Sequence, residues 1–364
     1  MKNRHTYPLL FPVCLWMLAA SACSLTQGPA AEGTLTLVIP GDGDPVTKGS
    51  DVTAYPYEQA VNRVQLLLFQ DGTRCDYTSL EDGVSFPYTK KYPSLGAGNY
   101  RIYVVANGPD LRGATTETAL QATAIHLSDC GLTDATGFVM MESAAVQITP
   151  GVTAQVSVPM KRFAARVRVT SVRNGLPASY ADGGAMTLKG LFLINALEDW
   201  NLGGTGQASG WVNLGGRTAG REASTERSDF ISTAAQVPLS CRDQLFRTVS
   251  VAVACGATYN FNAACLYSFP NAVTVDHTGP TASWQSGAPS RLVVLARVNG
   301  ADWWYPVTLL KDGKGLERNT TYDVSLVICA TGSSDPNEPV TEAQLQATVI
   351  PAGWGAGTNY TEPL

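Results

Sequence analysis

Charge is scarce in this chain. Asp, Glu, Lys and Arg make up only 15% of its 364 residues, against about 25% in an ordinary soluble protein. The 25 Lys and Arg do not outnumber the 30 Asp and Glu, and the net charge is −5. No basic excess is left to follow a phosphate backbone, which excludes nucleic acid as a partner. Histidine is scarcer still: of 3 in the chain, His126 and His277 stand far apart, each without a neighbouring Cys or His. A zinc site needs clustered ligands, so no metal and no cofactor is expected. The HExxH, G-x-S-x-G, GxxxxGK[ST] and helix-opening GxGxxG patterns are all missing.

Long hydrophobic runs are missing as well. Leu9 to Ala20 is apolar, but falls short of the ~20 residues that span a bilayer. With Lys2 and Arg4 before it and Ala20-Ser21-Ala22-Cys23 after it, the stretch reads as an export signal over residues 1–22. A cysteine directly after small residues resembles a lipobox, which makes Cys23 the expected lipidation site. Residues 23–33 then serve as a tether, and the acyl chains as an anchor that needs no spanning helix. Ordinary signal cleavage after Ala20-x-Ala22 is the competing reading.

Six cysteines remain once Cys14 and Cys23 are set aside. Cys255, Cys265 and Cys329 lie in apolar runs, where a thiol behaves as a small buried hydrophobe. Free thiols are expected, with a Cys255–Cys265 hairpin bridge as the exception.

What is present is alternation with a period of two. Thr34 to Ile39 places Leu35, Leu37 and Ile39 on one face, and Tyr322, Val324, Leu326 and Ile328 alternate in the same way. Denser strands run from Val61 to Phe69, closed by Asp71-Gly72, and from Asn99 to Asn107. Further strands are read at Ala154–Met160, Phe163–Val169, Leu188–Asn195, Thr248–Ala254 and Asn262–Phe269. Asn299-Gly300, between Leu292–Val298 and Trp303–Leu310, is the strongest hairpin signal. Arg162, Arg166 and Arg168 share the face opposite Phe163, Ala165 and Val167, which predicts a half-exposed antiparallel sheet. Only Glu117 to Ser128 looks helical, and Asn201 to Asp229 reads as a long loop. Short strands separated by turn residues predict an all-β chain of two sandwich domains, 34–160 and 161–364. No tandem repeat of 20–50 residues is visible.

Two other functions remain open at this point. Trp303, Trp304 and Tyr305 suggest a glycan platform on a monomeric surface lipoprotein, although strand alternation splits them between faces. A glycosidase needs only two carboxylates and carries no motif, but Asp110, Asp199, Asp302 and Asp312 all stand in turn contexts where Asp serves the backbone.

Several segments in order resemble the fimbrillins. They are the lipoprotein-like signal, the short strand Leu35–Ile39, DPVTKGS with Lys48, VNRVQLLLFQDG, GNYRIYVVAN, VPMKRFAARVRV, TYDVSLVICATGSSDPNEPV and LQATVIPAGW. The resemblance implies two transthyretin-like β-sandwich domains in a non-enzymatic subunit of cell-surface fimbriae. It also implies export to the outer membrane by an N-terminal lipid, then cleavage by a trypsin-like maturation protease in the loop after the first strand. On this chain the cut falls after Lys48, and the displaced strand is Thr34–Pro40, with Leu35, Leu37 and Ile39 facing inward. Another copy or a related subunit would fill the groove with a C-terminal strand around Thr341–Trp354, carrying Leu345, Ala347 and Val349. Such processing enzymes often prefer Arg, and this loop offers only Lys48; an uncut subunit would act as a base anchor.

Overall fold

The structure, a computed structural model, describes residues 32–40, 55–81, 84–133, 135–206, 210–274, 288–310 and 312–354. Cys23, Lys48 and His277 lie outside them.

The N-terminal strands form two sheets. In the first, β1 (Glu32–Ile39) lies between β4 (Tyr88–Gly96), to which it is antiparallel, and β8 (Thr153–Ser157), to which it is parallel. The second has the order β3 (Thr73–Glu81), β2 (Arg63–Gln70), β5 (Gly98–Ala106), β7 (Met140–Ile148) and β9 (Lys161–Arg162). Leu35, Leu37 and Ile39 from the first sheet meet Val64, Leu66, Leu68, Ile102 and Val104 from the second in one core. Leu67, Phe69, Tyr103 and Val105 point the other way and are buried too, which explains why β2 reads as a nearly continuous apolar run. The β2–β3 hairpin turns through Asp71 and Gly72, both at positive φ (50° and 76°), as a type I′ turn requires.

The C-terminal strands repeat this plan. One sheet has the order β16 (Thr258–Ser268), β10 (Ala165–Asn174), β19 (Thr320–Ile328) and β20 (Leu345–Gly353). The other runs β15 (Phe246–Val253), β11 (Met186–Ile194), β17 (Arg291–Val298) and β18 (Ala301–Thr308). Like β1, β10 is the first strand of its half and lies antiparallel to one neighbour and parallel to the other. Taken in chain order, β1, β2, β3, β4, β5, β7 and β8 match β10, β11, β15, β16, β17, β18 and β19 in sheet, position and direction. The repeat is one of topology, invisible as sequence. β20 is surplus to it, and the matching place beside β8 is vacant among the described residues.

The halves meet through a two-stranded sheet in which β6 (Ala124–His126) pairs antiparallel with β13 (Asp199–Asn201). A second such sheet, β12 (Ala196–Leu197) with β14 (Trp211–Val212), lies within the C-terminal half. The helices are single turns: α1 (Pro56–Gln59), α2 (Glu117–Gln121) and α3 (Arg242–Leu245).

Three expectations are corrected. The helix expected over 117–128 stops at Gln121, because Ile125 and Leu127 are buried while Ala124 and His126 are exposed, a period of two that suits pairing with β13. The stretch from Asn201 to Asp229 is not all loop: it holds β14 and 3-10 turns at Leu214–Gly216 and Arg227–Asp229. Cys255 and Cys265 are unbridged thiols, as are Cys75, Cys130, Cys241 and Cys329. β15 and β16 belong to different sheets, so no hairpin ladder brings the pair together. Burial pushes the Cys130 and Cys265 thiols up to about 12, which keeps them protonated.

Candidate functional site

β1 is held on both edges. Against β4, Leu35 pairs with Tyr92, Leu37 with Lys90 and Ile39 with Tyr88. Against β8, Leu35 lies opposite Ala154 and Leu37 opposite Val156. Leu35, Leu37 and Ile39 have no exposed surface. Gly33 is required at the entry, where a Cβ would lie 2.6 Å from the Thr149 carbonyl oxygen. β4 and β8 touch only through β1, so its loss would leave a gap about two strand spacings wide, near 10 Å. The lining would be the apolar floor formed by Val64, Leu66 and Ile102.

β20 occupies a different environment. It pairs antiparallel with β19, placing Leu345, Ala347 and Val349 opposite Ile328, Leu326 and Val324. Leu345 is buried, Val349 half-buried and Ala347 exposed. The strand overhangs the core it faces, and its outer edge is open among the described residues.

Beside β10 and β19 lies a buried charged cluster that sequence reasoning missed. Arg162 and Arg166 were expected on a wet face, yet they are 2% and 1% exposed. The face is covered by α1 and Trp354. Arg166 Nη1 donates to Glu58 Oε2 at 2.6 Å and its Nε to Thr321 Oγ1 at 3.0 Å. Arg162 donates through Nε and Nη2 to the Glu58 carbonyl oxygen, at 2.9 and 2.6 Å. The Tyr267 hydroxyl donates to Glu58 Oε1 at 2.5 Å; burial, reinforced by the Glu58 charge, drives its pKa well above the ordinary value and keeps it a donor. The Trp354 ring receives both guanidinium groups, at 4.8 and 5.1 Å, and packs against Phe138 and Tyr267. Arg168 is the part of the prediction that holds: it is partly exposed and pairs with Asp323. The polar alternation that suggested solvent is instead an inter-half seam. Every guanidinium in it has a partner, as burial of charge demands.

The cluster adjoins the end of β20, since Trp354 directly follows that strand, and Glu58 belongs to the first described segment after Lys48.

The remaining candidates separate. Trp304 is 2% exposed, and its Nε1 donates to the Ile231 carbonyl, so no flat aromatic platform forms with Trp303. Asp302 pairs with Lys189, Asp110 with Arg112 and Asp199 with His126. Among the described residues no group of three or more His, Cys, Asp or Glu is placed to hold a metal ion, and no helix is long and apolar enough to cross a membrane.

His126 Nδ1 lies 2.6 Å from Asp199 Oδ1, across the β6–β13 seam. The bond to Asp199 raises the His126 pKa, against a smaller opposing effect of burial. A raised folded-state pKa contributes stability below the ordinary histidine range and loses it as pH rises through the folded value. Amide protection factors in β6 and β13, which are corrected for the base catalysis of exchange itself, should therefore fall as pH rises from the ordinary histidine range through the folded value. A His126→Gln variant should lose that pH dependence. Because the pair is largely exposed, the effect is expected to be small.

The all-β fold of two matching sheet pairs is shared with several solved structures. A fimbrilin of Porphyromonas gingivalis superimposes with a TM-score of 0.56 at 15% identity, covering 90% of this chain and 98% of that one. A Bacteroides eggerthii protein described as a candidate cell adhesion protein gives 0.58 at 22% identity, covering 90% and 97%. One from Parabacteroides distasonis, described likewise, gives 0.55 at 17%, covering 89% and 100%. Residues 31–172 match the family described as major fimbrial subunit protein (FimA). The family match covers the N-terminal part of the chain, and the solved structures share its fold over nearly the whole length. Comparison with curated proteins gives no match.

Proposed function

We propose that this protein is a non-enzymatic structural subunit of fimbriae, contributing to adhesion, that assembles by strand exchange after proteolysis. The chain is exported, lipidated at Cys23 and carried to the outer membrane. Residues 34–160 and 161–364 act as its two domains. A trypsin-like protease cuts after Lys48, the strand Thr34–Pro40 leaves, and residues around Leu345, Ala347 and Val349 of the next subunit fill the groove.

The observation that carries this reading is the placement of β1. It is the central strand of its sheet, with three fully buried apolar side chains, yet it belongs to a short segment ahead of the Lys48 loop. Each side chain contributes about 1.5–3 kcal/mol of burial. An emptied groove would therefore select a strand with the same alternation. The contact joins unlike surfaces and propagates as a filament. The Glu58 cluster begins after Lys48 and so stays with the trimmed subunit.

Limited trypsin treatment tests the reading. The expected result is a cut after Lys48, read by N-terminal sequencing, followed by a ladder that survives SDS without heating. A protein that resists cleavage at Lys48, or is cut there and stays monomeric with related subunits present, would overturn strand exchange.

A further inference from the structure

We infer that β8 of one uncut copy pairs edge to edge with β20 of a second, in a single defined register. The contact needs neither cleavage nor loss of β1. Its starting point is a topological mismatch between the halves: β20 flanks β19, while the equivalent position beside β8 holds no strand among the described residues. A second copy supplies what the first lacks, in a head-to-tail contact.

The backbone fixes the register. Thr34 N–H donates to the Val152 carbonyl and Val158 N–H to the Val38 carbonyl. Alternate β8 residues therefore bond to β1, while the N–H and C=O groups of Thr153, Gln155 and Ser157 point outward. On β20, Trp354 N–H donates to Asn319 and the Gln344 carbonyl accepts from Cys329. The even-numbered residues thus face β19, and Leu345, Ala347 and Val349 present backbone groups outward. Leu345 N–H already donates to Thr341, leaving only its carbonyl free.

Placing Ala347 opposite Gln155 in an antiparallel pair sets Val349 against Thr153 and the Leu345 carbonyl against Ser157. Beyond this window the ladder ends on both sides. Pro351, which has no N–H, falls opposite Gly151, whose N–H is already given to Glu32; Pro159 falls opposite Ala343. The same register sets Ile350 directly against Val152. These are two of the three large hydrophobic side chains exposed among the described residues, at 49% and 52%. Such a non-hydrogen-bonded pair brings Cα atoms to about 4.5 Å. On the opposite face, Gln155 would lie toward a cavity of about 450 Å³ lined by Val307, Pro339, Val340, Leu345 and Ala347. β20 of one copy then lies one strand away from β1 of the other.

The test uses the full chain with Cys23→Ala and Lys48→Ala, so that neither a lipid nor a cut at Lys48 drives association. Sedimentation should show reversible, concentration-dependent association that SDS abolishes at room temperature. Adding Gln155→Lys and Ile350→Lys, which place charge on both edges, should weaken it by about tenfold or more. Oxidising a mixture of Val152→Cys and Ile350→Cys proteins should form a 152–350 disulfide, identified by peptide mapping against the native thiols. A mixture of Ala154→Cys and Ile350→Cys proteins should form far less. A protein that stays monomeric at the highest soluble concentration, or equal cross-linking in the two mixtures, would overturn the pairing. An SDS-resistant species would also count against it, since that is the mark of strand exchange.

Discussion

Arg166→Ala should destabilise the protein by about 3–5 kcal/mol, the cost of removing one partner from a buried ion pair. The loss comes mainly from what is left behind. Glu58 has no exposed surface, and without Arg166 its carboxylate would lose the charged donor to Oε2. Urea denaturation measures the effect. Replacing the pair together, as Glu58→Gln with Arg166→Met, should recover most of the loss, because the apolar stem and a neutral amide need no counter-charge. If the double variant is as unstable as the single one, the seam depends on shape and not on charge. Because Trp354 packs on the same guanidinium, Arg166→Ala should also change its fluorescence before global unfolding begins.

Leu37→Ala should cost about 2–5 kcal/mol, the range for deleting a large aliphatic side chain from a packed interior. Leu37 is the middle inward residue of β1, fully buried between the paired β4 and β8 positions. Thr36→Ala, on the half-buried outer face of the same strand, should change stability by no more than about 1 kcal/mol. The contrast is the diagnostic, and thermal and urea melts of the two variants measure it. Equal effects would mean that the strand is held by its ladder alone. If strand exchange operates, Leu37→Ala should also speed replacement of β1 once the loop is cut, since the outgoing strand is the weakened one.

Much of this architecture is legible in the sequence where a rule is local. Leu35, Leu37 and Ile39 announce an inward face because strand side chains alternate. Asp71-Gly72 and Asn299-Gly300 announce their turns because both positions need positive φ, and both have it. Alternation shows which residues share a face, but it is silent on what covers that face. Arg162 and Arg166 read as a wet stripe because their covering residues lie far along the chain: Glu58 is 108 positions from Arg166, on the single helical turn α1. β6 failed for the same reason, since its strand form comes from β13, 73 residues away at His126 and Asp199. Of the proposed site, the inward face of β1 was readable from its own residues, whereas the overhang of β20 depends on where β18 ends in space.

The seam between the halves bears on how a fibre of such subunits would take a pull. In the strand-exchange assembly proposed above, tension enters a subunit through the strand in the β1 position and leaves through the segment beyond β19. Along that strand the pull runs parallel to its axis, so the ladders to β4 and β8 are loaded in shear and resist together instead of opening one bond at a time. From there force must cross to β10 and β19, and the Glu58–Arg166 contact with the Arg162 and Trp354 packing around it lies on that path. The side chains that read as a solvated stripe would then act as the mechanical coupling between one half of the link and the other.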